Sequence, residues 1–292
     1  MHVSHWDTMF YFNKKKHMKI LYLISVPFVL MSCTASSNQN KSQDKPEQLH
    51  VVDGYNQKLI DPQGKTIKDR FLPPVGYERE NYKKNEFGYF LQQLPLKPIE
   101  SLVTYYNGRT KDRRDIYASV IDLPIGKRDL HQCADAVMRL RADYLYQNKK
   151  YKDIHFNFLS DGKPRYYEQF ASGDYTYPKY WKYLENIFAY ANTSSLHDEL
   201  TTVKSMDDVQ IGDTFVQKGN PIGHAIIIVD IAVNPKNGQK LVLMAQSYMP
   251  AQELQIINNP VNKSLSPWYV LSGDVIRTPE WKFYSQNLKT WN

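Results

Sequence analysis

Three residues of the sequence combine the chemical types that a thiol hydrolase needs: Cys133, His224 and Gln246. A thiol attacks a carbonyl carbon when a neighbouring imidazole takes its proton, and a polar side chain can hold that imidazole in one tautomer. We therefore predict that Cys133 is a nucleophile, that His224 is its base, and that Gln246 orients the histidine ring.

Cys133 lies near the start of a predicted helix over residues 129–146. Asp129 is a favourable capping residue, and Gln132 follows it at the spacing of a capping box. Cys133 then falls in the first turn, where the helix dipole favours a thiolate, so we expect a lowered thiol pKa. The alternative is that Cys133 is a small buried core residue, as unreactive cysteines often are.

His224 and Gln246 lie on two predicted strands that are neighbours in the chain. Residues 224–230 are an almost continuous apolar run that His224 opens, and residues 241–248 are a second apolar run that Gln246 interrupts. The turn pair Asn237-Gly238 lies between the runs and predicts a hairpin. A hairpin places the start of its first strand beside the end of its second, so we expect His224 to lie near residues 246–252.

The fold class that these elements predict is α+β. We expect the helix that begins near Cys133 to pack on an antiparallel sheet that contains residues 211–217, 224–231 and 241–248. Residues 50–292 are predicted to form a single domain with a catalytic-like core at 129–250. Two expectations are local: residues 162–180, rich in Tyr, Gly and Pro, should form a loop, and His155 should lie at the surface or at the rim of a cleft.

The N-terminal residues have the pattern of an export signal. Basic residues at 14–19 precede an apolar stretch at 20–31 that is too short to span a bilayer. Residues 1–32 are therefore predicted to be a signal peptide, with Met18 as an alternative start.

Cys33 follows this apolar stretch directly. Leu30-Met31-Ser32-Cys33 resembles the bacterial lipobox, so we predict that Cys33 is lipidated and that residues 33–49 form a disordered tether. The predicted location is the bacterial cell envelope, anchored through lipid to a membrane, the outer one being favoured. The alternative is a cleaved secretion signal in which Cys33 is incidental. If Cys33 carries lipid, Cys133 has no disulfide partner in the chain, because these two are its only cysteines.

Charge and composition argue against several classes of protein. The chain has 292 residues and a net charge of +7, of which the four lysines and one aspartate of residues 1–32 supply +3. The remainder is only +4 and contains no block of basic and aromatic residues, so no nucleic-acid partner is predicted. We predict no cofactor and no metal, because His131 and Cys133 lack a second pair of ligands at zinc-like spacing.

The central segments resemble papain-like cell-wall hydrolases of the NlpC and CHAP type. The resemblance covers about residues 129–248 and rests on Cys133 at a helix start, Gly212-Asp213, Gly223-His224, and a polar residue on the next strand. It implies a papain-like fold, catalytic roles for Cys133, His224 and Gln246, and peptidoglycan peptides as substrate. The chain departs from that family in having Gln132 and Ala134 beside the cysteine and no clear match for the upstream oxyanion-hole donor.

Nearly the whole chain also resembles a family of lipoproteins of Bacteroidota that share a domain of unknown function (forty-eight forty-six). Four segments carry this resemblance: residues 132–136, 223–225, 245–253 and 266–269. It implies export and lipidation, and it implies no activity.

Two functions remain open from the sequence. The first is a thiol hydrolase that acts on amide bonds, with peptidoglycan peptides favoured by the predicted compartment. The second is an envelope-binding lipoprotein without catalysis, which uses the same fold and cleft. A fold does not determine function, so the geometry around Cys133 must discriminate between them. The oligomeric state is not predicted.

Overall fold

The structure is a computed structural model that describes residues 58–219 and 221–291. The predicted signal peptide, Cys33 and the tether lie outside these residues, so they stay predictions. The described residues belong to one compact unit, residues 54–292. Within them, no helix combines the length and the apolar character needed to cross a membrane.

Six α-helices occur in the described residues, and the longest of them begins at Cys133. They are α1 (Ile67–Arg70), α2 (Phe87–Gln92), α3 (Cys133–Gln147), α4 (Tyr167–Ala171), α5 (Tyr177–Tyr190) and α6 (Thr193–Glu199). Most residues of α3 are buried, so this helix crosses the interior of the domain and is the rigid element on which Cys133 is placed.

The strands form one large antiparallel sheet and two separate hairpins. In chain order they are β1 (Glu78–Arg79), β2 (Tyr117–Val120), β3 (His155–Asn157), β4 (Pro164–Tyr166), β5 (Thr201–Thr202), β6 (Thr214–Gln217), β7 (His224–Val233), β8 (Lys240–Gln246), β9 (Gln255–Ile257), β10 (Tyr269–Val270), β11 (Val275–Arg277), β12 (Lys282–Tyr284) and β13 (Leu288–Thr290). The main path of the large sheet is β2-β9-β8-β7-β6-β13-β5, with β1 beside β7 and β10 beside β8. The separate hairpins are β3–β4 and β11–β12.

The hairpin β7–β8 is the centre of the sheet. Ile227 pairs with Ala245. The register shifts between Ile228 and Asp230, and regular antiparallel pairing continues from there towards the turn. Nearly all residues of both strands are buried, and each fully buried aliphatic side chain contributes about 1.5–3 kcal/mol. This arrangement confirms the predicted hairpin, and together with α3 it confirms the α+β class.

Helix α3 begins four residues later than predicted. Its N-cap residue is Gln132, whose backbone N–H donates to the carboxylate of Asp135 at 3.0 Å. The expected cap, Asp129, instead accepts a hydrogen bond from the backbone N–H of Ala251 at 2.7 Å. The contact holds Asp129 beside a distant segment, and the N-cap position is taken by Gln132. Cys133 is thus the first helical residue.

The segment 162–180 contains more regular structure than the predicted loop. It includes β4, α4 and the start of α5. Proline at the beginning of α5 is compatible with a helix start, because the first N–H groups of a helix have no intrahelical acceptor. The tyrosines of this segment pack against one another: the rings of Tyr167 and Tyr180, for example, lie 5.5 Å apart in an edge-to-face arrangement. Packing among aromatic rings outweighs the local preference of Gly and Pro for loops.

Candidate active site

Cys133 is a buried residue at the N-terminus of α3, and 5% of its surface is exposed. Its Sγ lies 3.9 Å from the Thr193 hydroxyl at the start of α6. The backbone of Ala225, the residue after His224, also hydrogen-bonds to the sulfur. The thiol is therefore held between the helix that carries it and the beginning of β7.

The pKa of the Cys133 thiol is raised from its ordinary value, which corrects the prediction of a lowered one. Burial is the main cause, and the nearby carboxyl of Asp135 adds to it. The hydrogen bonds from the Ala225 backbone and from Thr193 lower the thiol pKa, but they offset burial only in part. A thiolate in low dielectric loses its hydration, and a helix start does not replace that loss here. The thiol is neutral at pH 7.

His224 and Gln246 are in direct contact, as the hairpin predicts. His224 Nε2 lies 3.1 Å from Gln246 Oε1. Gln246 Nε2 in turn donates to Glu280 Oε2 at 2.6 Å, and Lys111 Nζ donates to both oxygens of Glu280 at 2.8 and 2.9 Å. These four side chains form a continuous chain of hydrogen bonds, which we call the Lys111–His224 chain.

The Lys111–His224 chain fixes the tautomer of the imidazole. The Glu280 carboxylate can only accept, so Gln246 must direct its NH₂ group to Glu280 and its carbonyl oxygen to His224. A carbonyl oxygen also only accepts, so His224 Nε2 must carry the proton. Nδ1 is left with the lone pair, and the neutral ring has its basic nitrogen on the side away from Gln246.

Aromatic rings enclose His224. The rings of Tyr248, Trp281 and Phe283 lie 4.8, 5.2 and 5.7 Å from its own, and the residue is 1% exposed. This burial lowers the pKa of His224 to about 4, although the hydrogen bond with Gln246 raises it. The imidazole is therefore neutral at pH 7, in the state that can accept a proton.

No hydrogen bond joins the Cys133 thiol to the His224 ring among the described residues; the side-chain partner of the thiol is Thr193. The two residues are close along the backbone, however, because the Ala225 backbone that hydrogen-bonds to the sulfur directly follows His224. Tyr248 contacts the His224 ring, and the charged form of Cys133 raises the pKa of the Tyr248 hydroxyl, behind the larger effects of burial and Glu280. The structure thus brings Gln246 against His224 and places Cys133 beside the start of the strand that His224 opens.

A cavity of about 230 Å³ opens beside the thiol, and we call it the Cys133 cavity. Its walls are the start of α3, the residues 191–194 that lead into α6, the loop around 219–223, and Met249. Gly223 is required in that loop, because a Cβ at this position would lie 2.4 Å from the carbonyl oxygen of Gln217. The missing side chain lets the backbone turn tightly and brings His224 into the site.

Two hydrogen bonds attach the segment before α3 to the segment after β8. The Ser247 hydroxyl lies 3.0 Å from the carbonyl oxygen of His131 and 2.8 Å from that of Gln252. Asp129 accepts from the backbone of Ala251. These contacts hold the N-terminus of α3 against the end of the strand that carries Gln246, so the relative position of the thiol and the amide is set by the backbone.

The sequence did not indicate Lys111, Thr193 or Glu280 as parts of the site. Lys111 lies in a loop, and Glu280 precedes β12, 34 residues after Gln246 in the chain. Neither belongs to a periodic pattern. The one local signal is Trp281, since a half-buried indole usually finds an acceptor. Its Nε1 donates to Gln217 Oε1 at 2.8 Å, and its ring lies 5.2 Å from that of His224.

Comparison with protein families identifies the family to which the chain belongs. Residues 67–290 match the model of the domain of unknown function 4846, so the chain is a member of that family. Neither the curated proteins nor the solved structures contain a significant match. The matched region includes the whole Lys111–His224 chain and Cys133, but the family supplies no activity.

Proposed function

We propose that the protein is a cysteine hydrolase that cleaves amide bonds, with Cys133 as nucleophile, His224 as base and Gln246 as the residue that orients the base. The observation that carries the proposal is the Lys111–His224 chain. In this chain the buried Lys111 and the half-buried Glu280 act through Gln246 to fix one imidazole tautomer. A histidine with only a structural role does not require a defined basic nitrogen.

The proposed reaction has two steps. Cys133 Sγ attacks the substrate carbonyl carbon while its proton passes to His224 Nδ1, and the imidazolium then gives that proton to the departing amine as the C–N bond breaks. Water, deprotonated by His224, attacks the resulting thioester, releases the carboxylic acid and restores the thiol. We assign stabilisation of the oxyanion to the backbone N–H of Cys133, because the first N–H groups of a helix lack intrahelical acceptors.

The resting protein holds a neutral thiol and a neutral imidazole instead of an ion pair. In the proposed reaction, a substrate carbonyl that enters the Cys133 cavity brings the thiol and Nδ1 into hydrogen-bonding distance, and proton transfer accompanies the attack. The neutral pair is consistent with the burial of both groups, because a charged pair in this interior would require desolvation of two ions.

The finer structural and cellular assignments are proposals as well. A papain-like fold is supported by the order of the cysteine helix, the histidine strand and the glutamine strand, and an origin in Bacteroidota by the segments of residues 245–253 and 266–269. We further propose that Cys33 is lipidated, that the domain is anchored in the cell envelope at the outer membrane, and that peptidoglycan peptides are the substrate. Replacing Cys33 with alanine should abolish fatty-acid labelling; unchanged labelling would contradict the anchor.

The test of the activity is turnover of peptidoglycan stem peptides. Incubation with the full chain should release new primary amines, and Cys133→Ala should reduce the rate by about 10³-fold or more. His224→Ala removes the proposed base. His197→Ala is its matched control, since His197 lies on the surface of α6. If Cys133→Ala releases amines at the rate of the unaltered protein, the catalytic assignment is wrong.

The second candidate function is a binding protein without catalysis. It is favoured by the buried thiol with its raised pKa and by the lack of a hydrogen bond between Cys133 and His224. Alkylation by iodoacetamide distinguishes the candidates in the Cys33→Ala background, where Cys133 is the sole cysteine. A hydrolase should label faster in the presence of a stem peptide that opens the site, and His224→Ala should remove that acceleration. Labelling only after denaturation would favour the binding protein.

A further inference from the structure

A second and larger cavity lies near the other end of α3. It has a volume of about 470 Å³ and includes Arg141, Lys150, His155, Glu199 and Trp291 in its walls. Arg141 follows Cys133 by eight residues, which corresponds to about 12 Å along a helix. The volume is in the range of small-molecule sites, and none of these residues belongs to the Lys111–His224 chain.

Arg141 projects its guanidinium among aromatic rings. The group lies 5.2 Å from the ring of Phe87 and 5.6 Å from those of Tyr144 and Trp291. In the part of the chain that the structure describes, no carboxylate, carbonyl or hydroxyl accepts a hydrogen bond from it. The buried arginine two positions earlier, Arg139, donates to both Asp143 and the carbonyl of Pro124.

Arg141 therefore has donors available to a ligand, because a guanidinium carries five N–H groups in a planar fork. The rings hold the fork in place and shield it from water on its faces, which strengthens any ionic hydrogen bond that it makes at its edge. A second donor in the cavity wall has the same property: the buried indole Nε1 of Trp291 has no acceptor among the described residues.

The charged side chains that line the cavity have a small net positive charge. Arg141, Lys150 and Lys152 line it, against the carboxylates Asp153 and Glu199. Burial raises the pKa of Glu199 to about 7, so this carboxyl is partly protonated at neutral pH and the net positive charge is larger than the formal count. The lining is therefore suited to an anion.

We propose that this cavity, the Arg141 cavity, binds a small organic oxyanion whose carboxylate or phosphate group pairs with Arg141 and whose flat body lies against the aromatic wall. A planar fork with two adjacent donors matches two oxygens of either group. Trp291 and Tyr166, which also lines the cavity, provide apolar faces for the rest of the ligand. The proposal is independent of the proposed hydrolase activity.

Calorimetry with four simple probes tests the proposal on the full chain. Benzoate and phenyl phosphate should both bind saturably, acetate and inorganic phosphate at least several-fold more weakly. Acetate as tight as benzoate would contradict the role of the aromatic wall. Tighter binding of phenyl phosphate than of benzoate would assign the natural ligand to phosphate esters, and the reverse order to carboxylates.

Substitutions then locate the probes. Arg141→Gln should weaken the better probe by about 10- to 100-fold, the range for a hydrogen bond to a charged group, and Arg141→Lys should also weaken it because the fork is lost. Arg113→Gln, at an exposed arginine paired with Asp115, is the matched control and should leave affinity unchanged. Lys150→Gln should also weaken the better probe, and it leaves Arg141 and the rings around its guanidinium in place. Saturable binding of no probe, or unchanged affinity in Arg141→Gln and Lys150→Gln, would overturn the proposal.

Discussion

The Lys111–His224 chain and Arg141, near opposite ends of helix α3, differ in their hydrogen bonding. Near the N-terminal end, the four side chains of the Lys111–His224 chain hydrogen-bond to one another, and the His224 ring at the end of that chain is buried. Towards the C-terminal end, Arg141 has aromatic neighbours on its faces but no hydrogen-bond acceptor among the described residues. A continuous chain of hydrogen bonds determines the protonation of one atom, here His224 Nδ1. An incomplete one leaves donors available for a ligand from outside.

Two arginines on α3 allow the sharpest test of this comparison. Arg139→Gln removes the partner of the buried Asp143 and should destabilise the protein by about 3–5 kcal/mol. Arg141→Gln removes stacking contacts but leaves no buried charge unpaired, so the expected loss is about 1 kcal/mol. Urea denaturation of both variants at pH 7 measures the difference. Equal losses would show that Arg141 is a structural arginine and would weaken the distinction between the two ends.

The same comparison predicts opposite responses to pH. The folded-state pKa of His224 is lowered to about 4, so its contribution to stability is present above the unfolded pKa of about 6.5 and is lost as the pH falls towards 4. The folded-state pKa of Glu199 is raised to about 7, so stability falls as the pH rises from about 4.5 to 7. Each effect is about 3 kcal/mol at most.

Stability differences between the protein and single variants isolate these two contributions. His224→Gln should lose the acid-side dependence, and Glu199→Gln should gain stability relative to the unaltered protein between pH 5 and 8. Urea denaturation at several pH values provides the measurement. If the free energy of unfolding of Glu199→Gln has the same pH dependence as that of the unaltered protein over this range, Glu199 is not the titrating group.

The smallest expected effect concerns Glu280, which acts on His224 only through Gln246. In Glu280→Gln the new amide can donate to Gln246, whose amide then rotates and presents NH₂ to His224 Nε2. The imidazole must shift its proton to Nδ1, and turnover should fall by about 10- to 100-fold. Nitrogen NMR of His224 reports the tautomer directly, which a merely structural role of Glu280 would not change. An unaltered tautomer in Glu280→Gln would contradict the positioning role.

The parts of the site that could be predicted from sequence are those set by local patterns. The apolar runs around 224–230 and 241–248, with Asn237-Gly238 between them, predict the hairpin and hence the contact of His224 with Gln246. The helix after Cys133 follows from its periodicity. Each of these depends on residues close together in the chain.

The parts that could not be predicted depend on contacts between distant segments. Asp129 contacts the backbone of Ala251 instead of capping α3, and the partner that orients Gln246 is Glu280. The raised thiol pKa has the same origin: the helix start is visible in the sequence, but the burial of Cys133 depends on β7 and α6. Local signals identify the chemical groups, and long-range packing determines their protonation states.

Residues 275–290 complete the site. They supply the hairpin β11–β12, whose turn region carries Glu280 and Trp281, and β13, which inserts between β6 and β5 in the sheet. During synthesis, Cys133, His224 and Gln246 are all made before Glu280, which their arrangement requires. In a nascent chain the tautomer of His224 is therefore fixed only after residues 275–290 have been made, although the three proposed catalytic residues are made earlier.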